Sequence, residues 1–417
     1  SAYSLTPTFV DNVPPVVVGR TPASGAVNVA YDGSVTVDFS EPVSGVSGSS
    51  VQLRDAANNL VAAAVSYASS TRRATLRPTN ALAGDSTYRV SLTSAIKDVA
   101  GISLTATSWN FTTGKAVPRL AGADRYATAA AVSRSAFSPG VPVVYIATGS
   151  SYPDALAGAP AARAGGGPLL LTAQAFIPGD TAAELTRLKP ARIVVLGGSG
   201  VVSTTVLNAL TSYTTGGVTR IAGADRYATA ALISRATFPD GAPAVYVATA
   251  STFADALAAG AAAAGAHAPI LLVSRYGVPA STLAELTLLD PDTIFVMGGT
   301  EAVSDAVVTQ LSAAGAVVRR IHGPDRFATA VELSKARFAA GGASTVYVAA
   351  GMSFPDGLAA GPVAGTRGAP LLLVPSGSLP GVVADELRRL DPANIVILGG
   401  PKAVSDAVRN QIRALWP

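Results

Sequence analysis

Residues 119–129 read RLAGADRYATA, and the same pattern returns as RIAGADRYATA at 220–230 and as RIHGPDRFATA at 320–330. Repetition at a nearly fixed period of about 100 residues is the signature of structural units that stack against one another. The 417-residue chain therefore carries one unit three times, and whatever the repeated stretch does should be done three times.

Composition excludes several classes of protein. The chain has no cysteine and only two histidines, His267 and His322, so a disulfide framework, a zinc-thiolate site and a cysteine nucleophile are excluded. A net charge of +4 without runs of Lys or Arg argues against nucleic-acid binding. The most apolar window, 256–274, is mostly Ala and Gly and contains His267 and Pro269, so we predict no transmembrane helix.

An α/β pattern follows each copy of the motif. In the first repeat we predict helices at 127–137, 154–164, 180–188 and 203–212, with strands at 143–147, 168–172 and 193–196 between them. Strands that are apolar at every position are typical of a parallel sheet covered by helices on both faces. We therefore expect three doubly wound α/β units, at 119–217, 218–317 and 318–417, in a pseudo-threefold arrangement.

The first part of the chain reads differently. Residues 1–13 show no period and are interpreted as an extended arm, whereas 14–115 contain short alternating runs such as SVTVDF at 34–39. This segment resembles the bacterial Ig-like domains of surface-layer proteins through PPVVVGRTP at 14–22, VDFSEP at 37–42, LAGDSTY at 82–88, IKDVAG at 96–101 and WNFTTG at 109–114. The resemblance implies a β-sandwich that acts as a spacer or assembly module.

The Ig-like segment also carries one candidate metal site. Asp11, Glu41 and Asp98 are possible Ca²⁺ ligands, because Ca²⁺ prefers carboxylate oxygens. Ordinary surface charge is the alternative interpretation, and we expect no other cofactor.

Each residue of the repeated motif has a structural interpretation beside a functional one. Its aspartates follow a glycine and precede a helix, which predicts N-caps; its aromatic residues are assigned to packing. Its second arginine lies in the first turn of the helix, against the helix dipole, so it needs a partner. That partner is either a carboxylate in the fold, as in a salt bridge between repeats, or an external anion. The residues are Asp124, Asp225 and Asp325; Tyr126, Tyr227 and Phe327; and Arg125, Arg226 and Arg326.

A second constellation follows the first predicted strand of each repeat, as TGSSYPDAL at 148–156, TASTFADAL at 249–257 and AGMSFPDGL at 350–358. Polar residues at the carboxyl end of a parallel strand lie where α/β sheets bind ligands. Asp154, Asp255 and Asp356 are candidates to receive sugar hydroxyls, or they complement the dipole of the following helix. The glycine pairs 197–198, 298–299 and 399–400 fit no nucleotide motif and indicate tight turns.

Taken in this order, the elements closely resemble three tandem cell wall-binding repeats of type 2, found in Gram-positive surface proteins. The matching pieces are GxDR(Y/F)ATA, the VYVA strand, the aromatic-x-Asp-x-Leu element, P(L/I)LL, and the glycine pair followed by Val-Ser. The resemblance covers 119–417 and implies attachment to the wall through an anionic polymer. It also implies an anchoring role for a strand element that here comprises Leu169, Leu170, Leu171, Ile270, Leu271, Leu272, Leu371, Leu372 and Leu373; by pattern alone these are buried strands.

We therefore expect an extracellular, non-catalytic protein of the cell wall that binds an anionic wall polymer multivalently. The candidate polymer contacts are Arg119, Arg125, Arg220, Arg226, Arg320, Arg326, Asp154, Asp255 and Asp356. One alternative is a self-assembling subunit of a surface layer or filament, which would contact itself or other surface proteins. Another is a cell-wall glycan hydrolase, but neither histidine recurs and nothing in the sequence sets two carboxylates at a catalytic separation.

Overall fold

The computed structural model describes residues 11–416, which form two compact units. One comprises residues 11–116 with Trp416, and the other residues 117–415. Within the described part of the chain, no helix is long and apolar enough to cross a membrane.

The first unit is the β-sandwich that the alternating runs predict. Its antiparallel strands form the sheets β1-β2-β6-β5 and β4-β7-β9 and the small pair β3-β8. Val35, Val37 and Phe39 point into the core, where Trp109 and Phe111 are also buried. Of the predicted arm, 11–13 are exposed and outside any strand, and 1–10 lie outside the described residues. The strands are β1 Val17–Thr21, β2 Val35–Phe39, β3 Val43–Ser44, β4 Val51–Arg54, β5 Ala63–Ala68, β6 Arg73–Pro78, β7 Thr87–Leu92, β8 Lys97–Asp98 and β9 Thr107–Thr112.

The second unit consists of three α/β repeats, which confirms the predicted fold class. The first contains β10 Arg119–Leu120, α1 Arg125–Arg134, β11 Val143–Thr148, α2 Pro153–Ala164, β12 Leu169–Thr172, α3 Gly179–Leu188, β13 Arg192–Leu196 and α4 Thr204–Leu210. The second contains β14 Val218–Ile221, α5 Arg226–Thr237, β15 Ala244–Thr249, α6 Ala254–Ala266, β16 Ile270–Val273, α7 Ala280–Leu289, β17 Thr293–Met297 and α8 Asp305–Ser312. The third contains β18 Val317–Ile321, α9 Arg326–Arg337, β19 Thr345–Ala350, α10 Pro355–Leu358, α11 Ala360–Thr366, β20 Leu371–Val374, α12 Gly381–Leu390, β21 Asn394–Leu398 and α13 Asp406–Arg413.

Each repeat completes the parallel sheet of the repeat before it. The sheets have the strand orders β12-β11-β13-β14, β16-β15-β17-β18 and β20-β19-β21-β10. The strand that enters the second repeat is thus the edge strand of the first sheet, and the short strand β10 pairs with β21 at the other end of the unit. These exchanged strands, which the sequence pattern did not predict, close the three repeats into a ring.

One core is shared by all three repeats. Along β12, Leu169 and Leu171 face this central cluster, whereas Leu170 faces a separate cluster on the outer side of its own sheet. The sheet is therefore buried on both faces, as its uninterrupted apolar strands predict.

The Ala-rich helices α2, α6 and α11 meet at the centre of the ring through small residues. A Cβ atom added to Gly361 would lie 2.6 Å from the Cβ of Ala159, and one added to Gly365 would lie 2.5 Å from the Cβ of Ala264. Such separations are shorter than two carbon atoms tolerate, so the close approach of these helices depends on glycine.

We expect Gly365→Ala to lower the free energy of unfolding by about 1–3 kcal/mol, because the added methyl overpacks the helix interface. Urea denaturation followed by circular dichroism measures the change. Gly381→Ala is the matched control, since Gly381 begins α12 with no atom near its missing Cβ. The control should be neutral or slightly stabilising. Equal stability of the two variants would contradict the close helix packing.

Candidate functional site

The three copies of the motif lie in three clefts at the carboxyl ends of the parallel strands. Each cleft is formed by two repeats, and we number it by them. Cleft 1/2 contains Asp154, Gly198, Asp225, Arg226 and Thr229; cleft 2/3 contains Asp255, Gly299, Asp325, Arg326 and Thr329; and cleft 3/1 contains Asp356, Gly400, Asp124, Arg125 and Thr128. Their volumes are 240, 490 and 360 Å³, so cleft 2/3, to which Arg320 and His322 also contribute, is the most spacious.

The aspartates of the motif cap the helices that follow them. The carboxylate of Asp124 accepts hydrogen bonds from the N–H groups of Tyr126 and Ala127, at 2.8 and 2.9 Å. Asp225 and Asp325 cap α5 and α9 in the same way, each with one bond of 2.8 Å. These bonds satisfy N–H groups that the helix itself leaves free.

The threonine of the motif, to which the sequence analysis gave no role, holds the preceding loop. The hydroxyl of Thr128 accepts the N–H of Gly122 at 3.1 Å, and Thr229 and Thr329 repeat the bond with Gly223 and Gly323. Thr128 also lies beside the carboxylate of Asp356 in the neighbouring repeat and acts to lower its pKa against the effect of burial, as Thr329 does for Asp255. Because this threonine recurs in all three motifs, the sequence could have indicated that it has a role. The sequence could not identify its partners, which lie in different segments and different repeats.

The second arginine of the motif binds a backbone carbonyl of its own repeat. Nη1 of Arg125 donates to the carbonyl oxygen of Gly149 at 2.5 Å. In the same way, Nη1 of Arg226 donates to the carbonyl of Ala250 at 3.1 Å, and Nη1 of Arg326 donates to that of Gly351 at 2.9 Å. Among residues 11–416 none of these arginines has a carboxylate within ion-pair distance, so the hypothesis of a salt bridge between repeats is replaced by this bond. Each guanidinium still interacts electrostatically with the cleft aspartate of the adjoining repeat, beyond ion-pair distance, so its charge is only partly balanced.

The arginines reach across repeats to an aromatic cluster made of Tyr152, Phe253 and Phe354. The three ring centroids are 5.6–5.8 Å apart, so one ring from each repeat contacts the other two. The guanidinium of Arg125 lies 6.0 Å from the ring of Phe354, and that of Arg326 lies 6.0 Å from the ring of Phe253. This cluster was also absent from the sequence interpretation, although its aromatic recurs two residues before each cleft aspartate.

The aromatic residues inside the motif pack rather than line the clefts. Tyr126, Tyr227 and Phe327 are half-buried against the central cluster. A Cβ on Gly149 would lie 2.7 Å from Cε1 of Tyr126, and one on Gly351 would lie 2.6 Å from Cε1 of Phe327. In these two repeats, glycine after the strand makes room for the ring.

The first arginine of each motif holds the glycine pair of the preceding repeat. Nη1 of Arg119, Arg220 and Arg320 donates to the carbonyl of Gly399, Gly197 and Gly298, at 2.7, 2.6 and 2.9 Å. Arg119 and Arg320 also pair with exposed carboxylates, of Asp406 and Asp305, at 3.0 Å each. These bonds account for the three arginines within the fold, and only Arg320 also lines a cleft.

The cleft aspartates lie against the glycine pairs. A Cβ on Gly197, Gly298 or Gly399 would come within 2.2–2.6 Å of a carboxylate oxygen of Asp154, Asp255 or Asp356, and all three glycines have positive φ. Burial raises the pKa of each aspartate, while the arginine of the adjoining repeat acts in the opposite direction. Each carboxyl is therefore held in a site that disfavours its ionised form. The glycine pairs form the predicted tight turns.

The residues of the anchoring strand lie in the core, away from solvent. Leu169, Leu170, Leu171, Ile270, Leu271, Leu272, Leu371, Leu372 and Leu373 are each at most 3% exposed. A polymer outside the folded unit has no access to these side chains. Substitutions at these positions are therefore expected to act on the stability of the sheet, and the anchoring role implied by the resemblance stays a prediction.

Two family models match the chain. The model described as bacterial Ig-like domain matches residues 11–113, and the model described as cell wall binding domain 2 (CWB2) matches 119–207, 220–308 and 320–409. The second covers more than half of the chain.

The chain is also similar to two proteins of Bacillus subtilis (strain 168). It is 30% identical over 299 residues to the N-acetylmuramoyl-L-alanine amidase LytC, covering 71% of this chain and 58% of the amidase. It is 28% identical over 340 residues to the amidase enhancer, covering 81% of this chain and 46% of the enhancer. The chain thus spans about half the length of these relatives.

Two solved structures share the fold. Cwp6 from Clostridium difficile matches with a TM-score of 0.67 and 21% identity, covering 96% of this chain and 68% of Cwp6. Cwp8 from the same organism matches with a TM-score of 0.66 and 22% identity, covering 80% of this chain and 60% of Cwp8. At these identities the likeness establishes the architecture alone.

The raised pKa of Asp154 predicts how stability depends on pH. Because the folded-state pKa exceeds the unfolded one, its contribution to stability is present below the ordinary aspartate pKa and is lost as pH rises through the raised value. We expect Asp154→Asn, which cannot ionise at this position, to lose less stability than the natural protein as the pH rises from the ordinary aspartate pKa to the raised one.

Urea denaturation at pH values from below 4 to 7 measures this difference. Asp180→Asn is the control, because Asp180 occupies the first turn of α3 but is exposed. If the free energy of unfolding of Asp154→Asn changes with pH in the same way as that of the natural protein, burial does not oppose ionisation of this carboxyl.

Proposed function

Since the chain belongs to the cell wall binding domain 2 (CWB2) family, with a bacterial Ig-like domain before its three repeats, we propose that the clefts bind an anionic polymer of the cell wall. Association with the cell wall is the coarse function that the repeats carry. The finer proposal concerns the ligand, its three sites and the absence of a catalytic step.

The observation that carries the proposal is an arginine left without a carboxylate partner in each of the three clefts. Arg125 and Arg226 are exposed, and Arg326 is half-exposed. Each is already oriented by a carbonyl bond, so binding an anion costs little additional side-chain entropy. A guanidinium that is fixed at one nitrogen and open to solvent is well suited to a phosphate or carboxylate group.

The cleft aspartates suit the hydroxyl groups of a sugar chain. Burial raises the pKa of Asp154, Asp255 and Asp356, so the site of each carboxyl opposes its ionisation. A carboxyl accepts hydrogen bonds from hydroxyls when ionised and can donate one when protonated. The combination of a motif arginine with a buried or half-buried carboxyl in each cleft favours a polymer that carries both anionic groups and hydroxyls.

Three such sites in one rigid ring favour multivalent binding. A repeating polymer held at one cleft meets the next at a high effective concentration, so avidity can exceed the affinity of a single site by factors on the order of 10² or more. Weak sites of this kind suffice for attachment to a surface that displays many copies of the same polymer.

The carboxylates of cleft 1/2 also favour a binding rather than a hydrolytic role. Hydrolysis of a glycosidic bond by two carboxyls needs one of them as acid and the other as base or nucleophile. In cleft 1/2, Asp225 is engaged as the N-cap of α5, which leaves Asp154 as the carboxyl facing the cleft. The relative named as an amidase extends well beyond the part matched here.

We expect the triple variant Arg125→Gln, Arg226→Gln and Arg326→Gln to bind purified cell walls at least tenfold more weakly, because every cleft loses the arginine of its motif, although Arg320 and Lys402 still line clefts 2/3 and 3/1. Sedimentation of the protein with walls measures the bound fraction. Binding of the natural protein should fall as salt is raised, since the contacts are charged and partly exposed.

The matched control is the triple variant Arg192→Gln, Arg319→Gln and Arg388→Gln, which removes the same charge from exposed sites outside the clefts. It should bind like the natural protein, and circular dichroism checks that both triple variants are folded. Equal loss in the two triple variants would reject the clefts as the sites. Undiminished binding to walls stripped of their polymers would reject the polymer as ligand.

A further inference from the structure

Three carboxylates of the Ig-like unit converge from separate parts of the chain. Asp11 precedes the first strand, Glu41 lies between β2 and β3, and Asp98 ends β8. Antiparallel pairing of β3 with β8 sets Val43 opposite Asp98 and so brings Glu41 to the same corner. One carboxylate oxygen of each residue lies within 4.8 Å of those of the other two.

The burial of Asp98 distinguishes this cluster from ordinary carboxylates on a protein surface. The residue is 2% exposed, and its Oδ1 accepts the N–H of Ile102 at 2.8 Å. Its Oδ2 is fully buried and has no hydrogen-bond partner among residues 11–416. A buried carboxylate oxygen without a partner carries a large desolvation cost, so its presence points to a ligand that has yet to be supplied.

The charges of the cluster are not balanced by the protein. Among residues 11–416 no Lys or Arg forms an ion pair with Asp11, Glu41 or Asp98. Three acidic groups therefore repel one another at a corner of the sandwich, and a cation placed among them would remove that repulsion.

We propose that this cluster binds one Ca²⁺ ion. The donors are all hard oxygen atoms, which suit Ca²⁺ or Mg²⁺, and the Ig-like unit contains no Cys or His that would favour zinc. Ca²⁺ takes six to eight oxygen ligands in flexible geometry, so three carboxylates can be completed by backbone carbonyls and water. Mg²⁺ requires a nearly ideal octahedron, which donors from three separate segments satisfy less readily.

Calcium binding would fasten the start of the sandwich. Asp11 belongs to the exposed stretch 11–13, and its carboxylate is bonded only to the nearby N–H of Val13 among the described contacts. An ion shared with Asp98 would tie this stretch to β8 and to the buried core behind it. The site is independent of the polymer clefts, since it lies entirely in the other unit.

Calorimetric titration of the full chain, freed of metals with a chelator, tests the proposal. We expect one Ca²⁺ per chain that is lost in Asp98→Asn, and Mg²⁺ binding at least tenfold weaker. Asp11→Asn and Glu41→Gln should each weaken Ca²⁺ binding by about tenfold or more, because the affinity of such sites follows the number of charged ligands. Asp11 is exposed, so its variant tests the site even if the buried substitution at Asp98 prevents folding.

Asp55→Asn is the matched control, since it removes one partly exposed carboxylate from the same unit outside the cluster. It should bind Ca²⁺ like the natural protein. No binding up to about 10 mM Ca²⁺, beyond the weakest affinities of extracellular calcium modules, would overturn the proposal. Unchanged binding in Asp11→Asn and Glu41→Gln, or equal binding of Mg²⁺ and Ca²⁺, would overturn it as well.

Discussion

The pairing of β10 with β21 is the constraint on which the α/β unit depends. Arg119 lies opposite Ile397 and Leu120 opposite Leu398, so the first strand of the unit completes its last sheet. No repeat owns all four strands of its sheet, and without its neighbour each would expose an open edge. Closing the ring satisfies all three edges together, which explains why a unit of about 100 residues occurs three times and why its core is shared.

The same exchange creates the clefts. The strand that crosses into the neighbouring sheet delivers the motif to the glycine pair and cleft aspartate of the preceding repeat. Arg220 secures this junction by bonding the carbonyl of Gly197, while Arg226 is presented in the cleft. One eleven-residue stretch thus contains both a structural and an exposed arginine. A cleft built at a junction exists only in the assembled ring, so the proposed binding there would require the ring to be folded.

The sequence predicts what is determined locally. Continuous apolar strands identify the parallel sheets, and a glycine followed by aspartate before a helix identifies the caps, because neighbouring residues decide both. The exchanged strands are short and contain arginine, and their partners lie in another repeat. The contact between Tyr152, Phe253 and Phe354 likewise depends on how three repeats assemble. The carboxylates Asp11, Glu41 and Asp98 could be named individually, but only the fold shows that they meet.

The energetics of the second arginine of the motif decide whether its recurrence in three repeats is evidence for a ligand. A cation in the first turn of a helix costs about 0.3–1 kcal/mol against the dipole. The charge-assisted bond from Arg125 to the carbonyl of Gly149 contributes roughly 1.5–3 kcal/mol, and the ring of Phe354 adds about 0.5–1 kcal/mol at an exposed site. The fold therefore accommodates the arginine without any ligand, and recurrence alone does not establish binding. The stronger argument is that the guanidinium remains open to solvent and forms no ion pair among the described residues after those contacts are made.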